Sequence, residues 1–386
     1  MRWRGEVQPR AGEAMATEIQ AGLIGFGFGG RVFHAPFLRA TPGLHLNAIV
    51  QRRGDSAAQE YPAATGVRIL RSVEDLLADQ SLELVTVCTP NASHYEVARQ
   101  CLLAGKHVVV DKPLTATADQ AADLVQIARS AQRKLFVFHN RRWDGDFLTV
   151  QQVIASGELG RLVTFEGRWD RFRPIPRVNT WKETVDEGTG MLLDLGPHLV
   201  DQALALFGRP SAVTGEIAVD RDDSVVDDAF LITLHYSKDG PHRGLRARLS
   251  ASMVAADPAP RFLLRGTLGS FRKHGLDAQE AALIGGARPP LPEAVNPPFW
   301  FANPESEWGT LTTTKDGHEP IQLSSRTVAT LPGDYRGFYA AVRDALLGKP
   351  SNAVTGEDGW RVLRILELAR ESHAAGKTLA VPAIGW

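Results

Sequence analysis

Residues 19–40 read IQAGLIGFGFGGRVFHAPFLRA. An apolar run of strand length passes through the glycine-rich turn GFGFGG at 25–30 into a stretch of helical character. Strand, glycine turn and helix, in that order, is the setting in which a G-x-G-x-x-G match cradles a dinucleotide. Gly25 permits the tight turn, and Gly27 lets backbone N–H groups approach a pyrophosphate. Gly30 lets the helix pack closely on its strand, and the helix dipole favours the anion. Phe26, Phe28 and Gly29 complete the candidate cofactor loop.

The alternation continues outward from this turn. LHLNAIV at 44–50 reads as a second strand, ending in Gln51, Arg52 and Arg53. Roughly 20 residues past the motif, an NAD-type site carries an acid for the ribose 2′-OH. Guanidinium groups there suit a 2′-phosphate through charge-assisted bonds, which predicts NADP(H) over NAD(H). Asp55 leaves NAD(H) use open. Next come a helix near 73–78, the strand LELVTVC at 82–88 and the turn TPNASH at 89–94. A helix over 95–104 stops at Gly105, where a helix end favours glycine. HVVV at 107–110 leads into Asp111-Lys112-Pro113, then a helix over 117–131 and KLFVFHN at 134–140. Such alternation predicts a doubly wound parallel sheet of the Rossmann type. Ligands of these sheets lie beyond the carboxyl ends of the strands. Thr89, Pro90, Asn91, His94, Asp111, Lys112, Asn140 and Arg142 all fall at those ends and join the cofactor-binding candidates.

After Trp143 the pattern changes. Strand-like stretches at 162–169, 212–219, 229–236, 245–253 and 261–264 alternate at period two, as in a half-covered antiparallel sheet. This predicts an α+β second domain with a large, open, mostly antiparallel sheet. Proline-rich stretches at 257–260 and 288–298 read as loops, the second with Phe299, Trp300 and Phe301 as a rim or subunit contact. Tyr335, opening a helix after Gly333-Asp334, is a further rim and substrate candidate. The apolar stripe of a last helix over 360–373 needs only core packing. The expected organisation is a disordered leader over 1–18 (with Met15 as an alternative start), a dinucleotide-binding domain over 19–140, and a substrate and oligomerisation domain over 141–386.

A chain of 386 residues suits two such domains. Its 43 Lys and Arg against 44 Asp and Glu remove the long-range attraction of a nucleic-acid or anionic-membrane binder. No apolar run approaches the roughly 18–20 residues of a membrane span. Cys88 and Cys101 can neither staple a fold of this size nor supply a zinc spacing, so a reducing compartment is expected. The first 18 residues lack the apolar core of a secretory signal. A cytoplasmic protein without a metal is the expectation.

The chemistry centres on GTGMLLDLGPHLVDQALALFG at 188–208. One helical turn separates Asp194 from His198, so on a helix they share a face; Pro197 suits a first turn. Oxidising a secondary alcohol requires a group that takes the hydroxyl proton, and imidazole, with a reference pKa of about 6.5, suits that task. A carboxylate one turn away would orient the imidazole or bond a substrate hydroxyl. A cation such as Lys112 would stabilise the developing alkoxide. Taken singly, each has a plainer role: a packed histidine, a helix-start carboxylate, a surface lysine. Arg168, Arg171, Arg173 and Arg177 read as a solvated basic run.

Asp111-Lys112-Pro113 resembles the Glu-Lys-Pro of the Gfo/Idh/MocA oxidoreductase family, and the likeness runs from about Ile19 to the C-terminus. VFHAPFL at 32–38, HNRRWDGDFLT at 139–149 and DLGPHLVDQ at 194–202 resemble a branch containing NADP-dependent scyllo-inositol dehydrogenase. The resemblance implies catalytic roles for Lys112, His198 and Asp194. It also implies a cofactor or substrate contact at Trp181 and Lys182, and a polyol or acid contact at Arg173. Self-association through the open sheet, as a homodimer or homotetramer, follows from it too. The function implied is an NADP(H)-dependent oxidoreductase acting on a hydroxyl of a cyclic polyol or sugar, or on the corresponding carbonyl. The alternatives are a non-catalytic NADP(H)-binding sensor and a redox-assisted enzyme with tightly held cofactor.

Overall fold

A computed structural model of the chain describes residues 18–177, 183–184, 189–292, 301–314, 317, 320–383 and 386. The expected leader therefore lies outside the described residues except for Glu18, as do Trp181, Lys182, Phe299 and Trp300. Six strands form the first sheet: β1 Ile19–Ile24, β2 Leu44–Val50, β3 Arg68–Leu70, β4 Leu84–Val87, β5 His107–Val110 and β6 Leu135–Val137. They run parallel in the order β3-β2-β1-β4-β5-β6. The order in which successive strands are added reverses at the β1–β4 boundary, so a crevice opens beyond the ends of those two strands. Burial on both faces explains why β4 and β5 read as continuous apolar runs.

The helix after the glycine turn is not uniform. Gly30–His34 is a π-helical turn, in which the Ala35 N–H bonds the Gly30 carbonyl five residues back, and α1 Ala35–Ala40 follows. Pro36 supplies no N–H for the α-helical bond, which accounts for the switch beside it. Four further helices flank the sheet: α2 Ser56–Glu60, α3 Val73–Ala78, α4 His94–Leu103 and α5 Ala118–Ser130.

After α6 Gly145–Ala155 the chain builds the second sheet. Its strands are β7 Leu162–Asp170, β8 Ala212–Ala218, β9 Ala229–His235, β10 Arg246–Ser252, β11 Phe262–Gly266, β12 Gly269–Lys273, β13 Gly309–Thr314, β14 Leu323–Val328 and β15 Leu379–Ala380. The order is β14-β13-β12-β11-β7-β10-β9-β8-β15, antiparallel except where β10 pairs with β7. Phe165, Gly167 and Trp169 of β7 face inward with Leu249 and Ile232; Arg246, Arg248 and Arg265 face outward. α7 Met191–Asp194 and α8 Gly196–Phe207 cover the inner face, and Leu199 sits close to Gly167. β12 to β14 escape a periodicity reading because only Phe271 and Leu311 among them are buried apolar residues.

The last elements return to the first sheet. After α9 Gln279–Ile284, α10 Arg336–Leu346 sends Phe338, Tyr339 and Val342 into the same buried cluster as β1, β4 and β5. α11 Gly356–Ala375, opened by a capping box between Thr355 and Asp358, packs on α5, α8 and β8. The two halves are thereby clamped along one side, with the β1–β4 crevice facing the α7–α8 junction. Among the described residues, no helix is long and apolar enough to cross a membrane.

Candidate active site

At the glycine turn, steric demands separate the glycines. Gly25 has φ +101°, and a Cβ there would lie 2.1 Å from the Cys88 carbonyl oxygen. A Cβ on Gly30 would lie 2.1 Å from the Gly25 carbonyl oxygen, so this glycine serves helix–strand packing. Gly27 differs: a Cβ there would meet nothing within 4 Å. The chain itself does not need glycine at that point, and the bare backbone opens onto free space. Phe26 is buried against the edge of Tyr61, while Phe28 is exposed beside Phe33. Past β2, Arg52 and Arg53 are exposed, with no ion-pair partner among the described residues. Asp55 is instead held by Arg71, which also bonds the carbonyls of Gln51 and Gly54. An open glycine facing a π-helical turn, with two unpaired guanidiniums past the next strand, fits a phosphorylated dinucleotide.

His94 ties the ends of β4 and β5 together. Its Nδ1 is 2.8 Å from the Pro113 carbonyl and its Nε2 is 2.8 Å from the Thr89 carbonyl. It is thus buried as a structural clamp, while Pro90 beside Thr89 is exposed and Asn91 opens the short turn before α4. Asp111 accepts a bond from Cys88 Sγ at 3.3 Å and lies 3.6 Å from Nε2 of the buried His34. Burial works against its charge, but the His34 ring beside it and the neighbouring Lys112 ammonium hold its carboxyl well below the usual carboxylate range. A Cβ on Gly29 would come within 3.1 Å of Asp111 Oδ2, so the glycine turn rests on the β5 end. The Lys112–Pro113 bond is cis.

From that strand end, Lys112 crosses to the second half. Its Nζ donates to the backbone carbonyl of Asp194 at 2.6 Å and to Asp194 Oδ1 at 3.1 Å. The break between α7 and α8, forced by Gly196 and Pro197, frees that carbonyl for an outside donor. Asp194 therefore holds the lysine and makes no bond to the imidazole, which corrects the expectation that it orients His198.

His198 is 6% exposed, and its Nδ1 is buried without a hydrogen-bond partner among the described residues. Trp169 lies tilted beside it at 5.8 Å between ring centroids, and His139 stands edge-on at 6.5 Å. Burial pushes the imidazole well below its ordinary range, and the charges of Lys112 and Arg141 add to the effect. The ring is neutral near pH 7 and able to accept a proton.

Several residues that the sequence did not mark complete the pocket. Arg141 lies over Trp169 at 4.2 Å and pairs with Glu280 and Asp144. Tyr335, expected at a rim, is fully buried: its hydroxyl donates to Asp144 at 2.7 Å beneath Arg141. Arg142 also departs from expectation. Its guanidinium grips Asp201 at 2.7 and 2.9 Å and lines a separate cavity of about 220 Å³ with Leu204, Val362 and Trp386. The first residue of the arginine pair, not the second, stacks on the Trp169 ring beside the imidazole. Asn140 is buried just past β6. Arg171 and Arg173 are half-buried, where a solvated run was expected. The missed signal was alternation: 165, 167, 169, 171 and 173 fall on one face if β7 is extended.

Residues 19–139 match an oxidoreductase family with an NAD-binding Rossmann fold, and residues 147–272 match the GFO/IDH/MocA C-terminal domain. The uncharacterized oxidoreductase YdgJ of Escherichia coli is 38% identical over 95% of this chain and 100% of its own. The scyllo-inositol 2-dehydrogenase (NADP(+)) IolW of Bacillus subtilis is 34% identical over 95% of this chain and 97% of its own. The crystal structure of an oxidoreductase from Bacillus cereus superimposes with a TM-score of 0.82 at 31% identity, covering 95% of this chain and 99% of that one.

Proposed function

Because the chain belongs to the GFO/IDH/MocA family of NAD(P)-dependent oxidoreductases, we propose that it oxidises a hydroxyl of a cyclic polyol or sugar with NADP⁺, or runs the reverse reduction. When bound, the nicotinamide supplies the hydride acceptor or donor. The observation that carries the reading is Lys112, at the strand end on which the glycine turn rests, bonded to Asp194 one helical turn before the buried His198. His198, unprotonated near pH 7 through burial and neighbouring cations, offers the acceptor nitrogen for the hydroxyl proton, and the same surroundings favour its onward release. Lys112 stabilises the alkoxide oxygen, and its two bonds to Asp194 hold the ammonium in place. Trp169 and His139 close the imidazole against water.

The exposed Arg52 and Arg53 and the name of the Bacillus subtilis relative both favour NADP(H). The outward face of the second sheet, carrying Arg246, Arg248 and Arg265 and covered by no helix among the described residues, is the surface assigned to self-association as a dimer or tetramer. Sedimentation would report that assembly directly. A panel of inositols and aldoses with NADP⁺ and NAD⁺, followed at the reduced nicotinamide band, tests the activity. Turnover with at least one polyol or sugar is expected. Tight NADPH binding with no turnover of any compound would instead leave a sensor.

A further inference from the structure

Resting on the oxidoreductase reading above, we propose that the substrate carries an oxyanion, a carboxylate or phosphate, which Arg171 and Arg173 hold beside the reacting hydroxyl. The placement follows from β7. Phe165, Gly167 and Trp169 point inward at period two, and pairing with the chain after β10 continues past the strand end. There Arg171 N–H bonds the Ser252 carbonyl at 2.8 Å and Arg173 N–H bonds the Met253 carbonyl at 2.7 Å. Phe172, between them, bridges to Val254 and is exposed on the opposite side. Both arginines therefore project to the face that carries Trp169. The Arg171 guanidinium lies 5.9 Å from the Trp169 ring centre, and that ring lies 5.8 Å from His198.

The charges around this pocket do not balance locally. Lys112 is bonded to Asp194, Arg141 to Glu280 and Asp144, and Arg261 to Asp146. Arg171 and Arg173 have no carboxylate within ion-pair distance among the described residues, although Asp194 tempers the field of both, Glu280 that of Arg171 and Glu183 that of Arg173. Burial holds both below the usual arginine range, helped by the charges of Arg173 and Arg141 on Arg171 and of Arg177 and Arg221 on Arg173. Two half-buried guanidiniums two residues apart, without a counter-ion among the described residues, form a donor-only surface. A neutral polyol offers hydroxyls that both donate and accept, whereas an oxyanion only accepts and matches a guanidinium pair.

The test compares matched sugars that differ only in charge: glucose, glucuronate and glucose 6-phosphate, each with NADP⁺ and the full-length protein. Wild type should favour at least one anion over glucose by about tenfold or more in kcat/KM. That advantage should collapse to within about threefold in both Arg171→Ala and Arg173→Ala. It should survive in Arg129→Ala, which changes an exposed guanidinium on α5. A glucuronate preference identifies a carboxylate and a glucose 6-phosphate preference a phosphate. Turnover of glucose at least equal to both anions, or an anion advantage that survives both arginine changes, overturns the inference while the oxidoreductase reading stands. If none of the three is turned over, the sugar-oxidation reading is what suffers. Calorimetric titration of glucuronate and glucose 6-phosphate into the NADPH-loaded protein then decides the inference. Binding lost in both variants supports it, and binding absent or unchanged overturns it.

Discussion

The glycine turn after β1 and the extended end of β7 both present positive potential to one crevice, but by opposite means. At the turn the chain removes side chains: Gly27 leaves bare backbone facing open space. At the end of β7 it adds them, layering Arg141, Trp169 and Arg171 beside His198. A site made of backbone depends on φ and on absent Cβ atoms, so it tolerates almost no change of residue type within a few consecutive positions. A site made of side chains draws on distant positions and can be altered one group at a time. That difference explains how a shared fold can keep one cofactor while its substrates vary.

The largest effect should come where the two regions meet. Lys112→Ala should lower kcat by about 10²–10³-fold while dinucleotide affinity, read by fluorescence titration, stays within a few-fold. Undiminished turnover would remove the lysine from the chemistry. Next, the glycines should divide as their surroundings do. Gly27→Val should weaken dinucleotide binding about tenfold or more while leaving the melting temperature near wild type. Gly30→Ala should lower melting by at least about 3 °C, because its Cβ meets the Gly25 carbonyl. Equal melting losses in both would show that Gly27 is packed like its neighbour.

This division also marks what was legible in the sequence. The first sheet, its strand ends and the open Gly27 lie in consecutive residues with a fixed chemical logic, so order and spacing sufficed. The second sheet was readable where period two was strong, in β7 to β11, and unreadable in β12 to β14, whose residues are mostly polar. The pocket around His198 was only partly legible. Nothing local in the sequence joins Arg141 to Trp169, or puts Tyr335 under Asp144, because those contacts depend on α9 and α10 returning across the first sheet. The same limit explains the choice between Arg141 and Arg142: a helical turn decides which of two neighbours stacks on the Trp169 ring beside the imidazole.

A smaller effect should follow at the exposed end of β2. Replacing Arg52 and Arg53 together with Ala should reduce the preference for NADPH over NADH by about 10–100-fold, read as a ratio of dissociation constants. Equal losses for both cofactors would mean that the 2′-phosphate is held elsewhere. The smallest effect concerns stability. Burial and the neighbouring Arg133 and Lys134 push His107 down to about 4, and its Nδ1 accepts the Lys134 N–H at 2.9 Å. The unfolded chain takes up that proton at about 6.5, so the contribution is complete above that pH and is lost as pH falls towards about 4. Between pH 7 and 4.5, His107→Gln should lose less melting temperature than wild type, by on the order of a few degrees. An identical acid loss in both would place the sensitivity in other groups.

The coupling of an ammonium to a buried imidazole can be read directly by NMR titration of the His198 ring, assigned by its disappearance in His198→Gln. In wild type the midpoint should lie well below about 6.5, and in Lys112→Met it should move upward, because a repelling cation has been removed. A midpoint near 6.5 that is the same in both proteins would contradict the account.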